Sequence, residues 1–212
     1  MTSTVIGIDV GGERKGFHAV ALQGGIFVDK KTSSKPADIS AWCLDHKTRV
    51  VAVDAPCRWS QSGSSRLAER ELRIAGKQIH CFATPTYTDA RANIKGFYDW
   101  MFNGEKLYEC LESRQYLRFN GDRTEEPMCI ETFPHAIVCA LAGVVVPARP
   151  KGKVRRAALR ERGFDVSKLL NIDFVDAALC AVTAEAFRNN RYQLYGDRAE
   201  GFIVVPTRHY LR

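Results

Sequence analysis

Apolar residues run through Val5-Ile6-Gly7-Ile8, Val50-Val51-Ala52-Val53 and Met128-Cys129-Ile130, and each run ends on an acid: Asp9, Asp54 and Glu131. Unbroken apolar runs of this length read as strands covered on both faces. Residues 17–22 and 25–31 read as two further strands about Gly24-Gly25, so residues 4–31 predict a three-stranded antiparallel meander. Pro36 opens a helix to about His46, with Ile39, Trp42 and Cys43 on one face. A fourth strand over 49–54 ends at Pro56. A polar loop over 57–65 then leads to a helix over about 65–75, stopped by Gly76.

Residues 77–94 show no period, and 97–117 read as a long helix with Phe97, Trp100, Met101, Leu107, Tyr108 and Leu111 as its apolar stripe. A fifth strand over 128–133 and a helix over 135–142 follow a charged loop. A Gly/Pro-flanked basic stretch leads to a helix from about Val154. An alanine-rich helix over 173–189 and a short strand over 201–205 close the chain. The opening order β-β-β-α-β differs from the strict alternation of a plain nucleotide-binding fold. The expected architecture is α/β: a mixed five-stranded sheet, antiparallel meander plus parallel strands, flanked by helices. It forms one domain over 1–212 with a helical insertion at about 77–127.

Composition narrows the class. At 45% hydrophobic residues the chain can bury a core and is not compositionally disordered. No apolar run approaches the roughly 20 residues of a membrane span, and no signal-peptide pattern opens the chain, so a soluble cytoplasmic protein without a membrane partner is expected. Seven cysteines without a Cys-x-x-Cys pair argue against a disulfide framework or structural zinc. Cys57 lies near Asp54, and reads as a small loop residue ahead of a nucleophile.

Acids at the C-terminal ends of buried strands suit a site at the sheet edge better than packing. Asp173 and Asp176, three apart at the start of the alanine-rich helix, share a face. If that helix packs on the sheet, Asp9, Asp54, Glu131, Asp176 and Asp173 converge. Such a group repels itself unless a cation neutralises it, and hard oxygen ligands suit Mg2+ or Mn2+.

At these residues the chain resembles a known family. Ile8-Asp9-Val10-Gly11-Gly12, Val53-Asp54-Ala55-Pro56, Glu131-Thr132-Phe133-Pro134-His135 and Asp176-Ala177-Ala178 are similar to domain of unknown function 429, described as predicted nucleases of the ribonuclease H-like fold. The resemblance spans Ile6 to Pro206 and implies that fold. It also implies that Asp9, Asp54 and Asp176 match the acids of the first strand, fourth strand and last helix. Glu131 is the additional acid of this family, and the pair Asp173/Asp176 is similar to the terminal acids of RuvC-like junction resolvases.

The formal net charge is +7 despite the acidic centre, so the positive excess lies elsewhere and suits a polyanion. Arg66, Arg70 and Arg73 are spaced to share a helix face. Arg149, Lys151, Lys153, Arg155, Arg156, Arg160 and Arg162 form a second basic group, and Lys15 sits in the turn after Asp9. The two basic groups read equally as phosphate contacts or as paired and solvated side chains, and Lys15 as an exposed turn residue ahead of a phosphate contact. His135 is a candidate proton shuttle or a helix-start hydrogen-bonding group. The rings of 97–108 read as core or a homodimer contact ahead of base stacking.

The leading expectation is a metal-dependent nuclease. Asp9, Asp54, Glu131 and Asp176 are its catalytic acids, and DNA or RNA is its substrate. The alternatives are an ATP- or phosphate-binding protein of the actin and sugar-kinase superfamily, whose first hairpin also carries an acid and glycines, and a non-catalytic nucleic-acid-binding domain.

Overall fold

The computed structural model describes residues 3–208. The chain opens with strands β1 (Thr4–Val10), β2 (Phe17–Gln23) and β3 (Ile26–Ser33), then helix α1 (Pro36–Asp45) and strand β4 (Val50–Asp54). Between β4 and the next long strand lie α2 (Leu67–Glu71), the two-residue strands β5 (Arg73–Ile74) and β6 (Lys77–Gln78), α3 (Tyr87–Ala92), α4 (Asp99–Glu112) and β7 (Leu117–Arg118). Then come β8 (Met128–Glu131), α5 (Pro134–Ala142), α6 (Lys151–Arg160), α7 (Ile172–Arg188), β9 (Tyr192–Asp197) and β10 (Gly201–Pro206).

The main sheet runs β3-β2-β1-β4-β8-β10-β9, with β7 also paired to β8. β1 is antiparallel to β2 and parallel to β4, and β4 is parallel to β8. This is the antiparallel meander plus parallel strands that the sequence predicts. Among the described residues the sheet has eight strands where five are expected, because the C-terminal hairpin β9–β10 joins alongside β8 and β7 adds to it. β9 escapes the sequence reading because Tyr-Gln-Leu-Tyr-Gly-Asp has no apolar run. Residues 77–127, expected as a helical insertion, hold α3 and α4 together with β6, the second strand of a small hairpin, and β7, a strand of the main sheet.

Both sheet faces are covered, which is why β1 and β4 read as unbroken apolar runs. Val5, Val20, Val50, Ala52 and Ile130 face the helices α5, α6 and α7. Ile6, Ile8, Val51 and Val53 face α1 and α4. α7 is capped by Asn171, whose side chain accepts from the Phe174 amide at 2.9 Å. Its small residues let it lie directly on β1. A Cβ on Gly7 would fall inside van der Waals contact of Ala181 N and Ala177 O, and 2.6 Å from Cys180 C. Glycine at that point sets the helix-to-sheet distance, and with it how far α7's acids reach over the strand ends. Among the described residues, no helix is long and apolar enough to cross a membrane.

Candidate metal centre

In register, Asp9 of β1 pairs with Asp54 of β4. Cross-strand partners project from the same face, and here that is the face α7 covers. Asp176, on the second turn of α7, is fully buried and comes down onto the same point. Asp173, one turn earlier, reaches the rim and approaches His18 Nε2 at 4.0 Å. Asp9, His18 and Asp173 each offer a ligand atom, all within 4.8 Å of one another.

His18 carries no motif spacing and is missed by sequence reading. It enters because β2 pairs His18 opposite Asp9, which puts both on one face. Its ring packs edge-on against Phe174 at 5.0 Å between centroids. Alternation along β1 and β2 was the available signal, but it needs the hairpin register.

Three cations balance the acids. Lys15 bridges Asp9 at 3.0 Å and Asp173 at 2.7 Å. Its stem lies over Gly11, where a Cβ would stand 2.5 Å from Lys15 Cδ. Lys151 reaches Asp176 at 2.9 Å, and Arg155 pairs with the other Asp176 oxygen. Neither Asp176 oxygen accepts a well-directed hydrogen bond, although both are charge-paired.

Burial is the largest influence on Asp9; Lys15 opposes it and Asp176 adds to it, and the result is a pKa of about 6. Burial, then Asp9 and Asp176, push Asp54 well above the usual carboxylate range against the pull of Arg155 and Lys151. Burial pulls Lys15 down, but Asp9 and Asp173 outweigh it and its pKa is raised. Burial lowers that of His18, so the imidazole favours its neutral, ligand-competent form. Burial pushes the Cys57 thiol up to about 12, which fits an inert loop residue.

The raised Asp9 has a measurable consequence. An acid with a folded pKa above its unfolded value destabilises the fold at pH above both, and the penalty vanishes at pH below both. From 3.8 to about 6 the linkage amounts to about 3 kcal/mol. Asp9→Asn should therefore stabilise the metal-free protein at pH 8 by about 1–3 kcal/mol, an advantage that shrinks towards zero as pH falls from 6 to 4. Urea unfolding in chelator across that range checks it. A wild type as stable as the variant at pH 8 would contradict it.

Glu131, expected among these acids, lies elsewhere. In β8 it pairs with Val53, not Asp54, so its side chain projects from the opposite face, towards α4. There Arg66 grips it with two bonds, 2.8 and 2.5 Å, and the Cys57 amide donates at 2.8 Å. Arg66 Nε also donates to Glu69 at 3.0 Å. Arg66 is thus a buried structural cation, 1% exposed, and not a free phosphate ligand.

The expected shared face of Arg66, Arg70 and Arg73 does not form. α2 spans only Leu67–Glu71, and Arg73 already belongs to β5. Arg70 is exposed and bonds the Ser65 carbonyl; Arg73 bonds Gln78 at 3.2 Å.

The second basic group divides. Lys151 and Arg155 turn to Asp176. Arg156 donates to the Leu169 carbonyl at 2.7 Å and Arg162 to that of Leu141 at 2.7 Å. Arg149, Lys153 and Arg160 are exposed. His135 lines the same cavity as the acids but contacts Cys139 Sγ at 3.8 Å, and burial lowers its pKa.

Asp9 and Asp54 open into a cavity of about 820 Å³ that Lys15, Lys151 and Arg155 also line. A sequence model of the family described as protein of unknown function (DUF429) matches residues 7–200. No curated protein matches the sequence. Among solved structures, Thermus thermophilus RuvC is similar to the chain at 14% identity and a TM-score of 0.45, covering 88% of this chain and 95% of that one.

Proposed function

The chain belongs to the family of unknown function DUF429, and from the acid centre on its ribonuclease H-like sheet we propose that it is a divalent-metal-dependent nuclease. The observation that carries this reading is the convergence of Asp9, Asp54 and Asp176 on one sheet face under α7. Crowded acids with raised pKa values, Asp9 buried and Asp54 at the cavity wall, are costly without a function that uses them.

The donor set fits a hard divalent cation. Asp9 and Asp173 would supply carboxylate oxygens and His18 one imidazole nitrogen beside them, and Asp54 and Asp176, close enough to Asp9 to raise its charge cost, would complete the set. Mg2+ or Mn2+ suits such ligands. When bound, the ion activates a water and stabilises charge on the phosphodiester oxygens.

The chain's own residues do the rest. Lys15 and Lys151 are each about half exposed at the cavity, so either ammonium can turn from its carboxylate to a phosphate oxygen. Arg155, 8% exposed, stays on Asp176 and holds it in place. Arg149 adds to the positive lining of the cavity, and exposed Lys153 and Arg160 extend that charge beyond it, where it attracts a strand through its backbone and not its sequence.

Calorimetry with Mn2+ tests the reading. Wild type should bind at micromolar to sub-millimolar concentrations. Asp9→Asn with Asp176→Asn should weaken binding by at least about 100-fold and abolish cleavage of single-stranded, duplex and branched DNA and RNA. Metal binding unchanged by both substitutions would refute it. ATP bound tightly without nuclease activity would instead favour the phosphate-binding alternative.

A further inference from the structure

The cavity that holds Asp9 and Asp54 also has a wall of rings. Phe82, Phe97, Tyr98 and Trp100 line it. Phe82 lies 5.5 Å from Phe97 and 6.0 Å from Trp100 between ring centroids. Phe82 is 56% and Phe97 52% exposed, so this part of the 97–108 segment is not core. Met101, Leu107, Tyr108 and Leu111 supply the buried face of α4. Phe97 precedes the helix, which begins at Asp99, and turns instead to Phe82 from the preceding loop.

We infer that this cavity receives one unpaired nucleotide, its base stacked on the Phe82–Phe97–Trp100 shelf and its phosphate at the end lined by Asp9, Asp54, Lys15 and Lys151. Two half-exposed rings grouped in a concave site leave apolar area that a flat partner would remove from water. The same cavity carries Lys15, Arg149 and Lys151, so the partner that fits is flat and aromatic at one end and anionic at the other. A volume of about 820 Å³ lies in the range of discrete ligand sites. It suits a nucleotide, whereas a duplex keeps its base faces stacked inside the helix and offers none to a shelf.

Recognition should be tolerant of base identity. Arg66, Glu69 and Glu131 also line the cavity but are spent on one another and on Thr84 and Cys57. Of the polar lining, His80 and His135 remain, while the rings carry the stacking contact, and every base has a π face. The proposal rests on the nuclease reading only for what happens to the phosphate.

A 2-aminopurine-labelled single strand, a blunt duplex of the same sequence and a 2-aminopurine mononucleotide test it, with Ca2+ as the cation. Stacking should quench the label in the single strand, which should bind at least about tenfold more tightly than the duplex. Phe82→Ala with Phe97→Ala should weaken the single strand on the order of 10- to 100-fold. A mononucleotide as tight as the strand identifies a free nucleotide as the ligand; a much weaker one identifies the strand. Equal affinity for strand and duplex, or strand binding unchanged in the double variant, overturns the shelf. Mn2+ calorimetry on the same variant separates the two readings. Retained metal binding confines a failure to the shelf, while absent metal binding in the wild type condemns the nuclease reading and leaves the quenching result to stand alone.

Discussion

Gly7→Ala should destabilise the protein by about 3 kcal/mol or more and weaken Mn2+ binding in whatever folded fraction remains. The added methyl would meet backbone atoms of α7, at Ala177, Cys180 and Ala181, and no flexible side chain stands there to yield. Either β1 or α7 must move. α7 makes its most extensive packing with β1 and also lies on β2 and β4, so the shift is felt across the sheet face. Asp176 precedes Ala177 on that helix, and Asp9 follows Gly7 by two residues on that strand. Displacing one surface from the other therefore separates the acids in the same step. Urea unfolding and calorimetry on one preparation read both effects. Wild-type stability would show that the helix is not held at that distance. Lost stability with unchanged metal affinity would show that the acids are positioned independently of it.

Arg66→Met is the second large effect, and it should divide stability from metal binding. The guanidinium sits between Glu131 and Glu69 at 1% exposure and also donates to the Glu200 carbonyl at 3.2 Å. Removing one partner of a buried ion pair strands the other, at a cost of about 3–5 kcal/mol. Adding Glu131→Gln should recover part of that loss, because the stranded charge is then gone. The double-mutant cycle measures the coupling. Mn2+ affinity should change less than about threefold in Glu131→Gln alone, since this carboxylate lies across the sheet from Asp54. A tenfold loss in that variant would return Glu131 to the metal centre, as its place in the sequence suggests.

The contrast between Asp54 and Glu131 shows where sequence reading runs out. Both close an apolar run, and both were legible as acids at strand ends. Which face each takes depends on interstrand register, and one residue of offset reverses it. β8 stands one residue out of step, with Glu131 beside Val53. Asp9, Asp54 and Asp176 were readable because their runs and helix are long and strongly patterned. His18 was not, since only its pairing opposite Asp9 brings it to the acids.

The arginines after Asp54 misled for a local reason. A helix of five residues stops at Leu72, whose backbone is extended, and the chain turns into a hairpin. A spacing of three or four says nothing once the helix has ended. The rings near residue 100 were ambiguous between core and ligand, because the start of α4 decides which of them enter the core.

The cations that hold the acids have a consequence for the order of assembly. In the chain alone, Lys15, Lys151 and Arg155 act as resident counterions, so the acids can be gathered before any divalent ion arrives. On the proposed function, an ion that took over part of their charge balance would leave the two lysines surplus at the cavity, where an incoming polyanion would claim them. Loading of the ion and capture of the strand would then favour one another, each by the same factor, as reciprocal linkage requires.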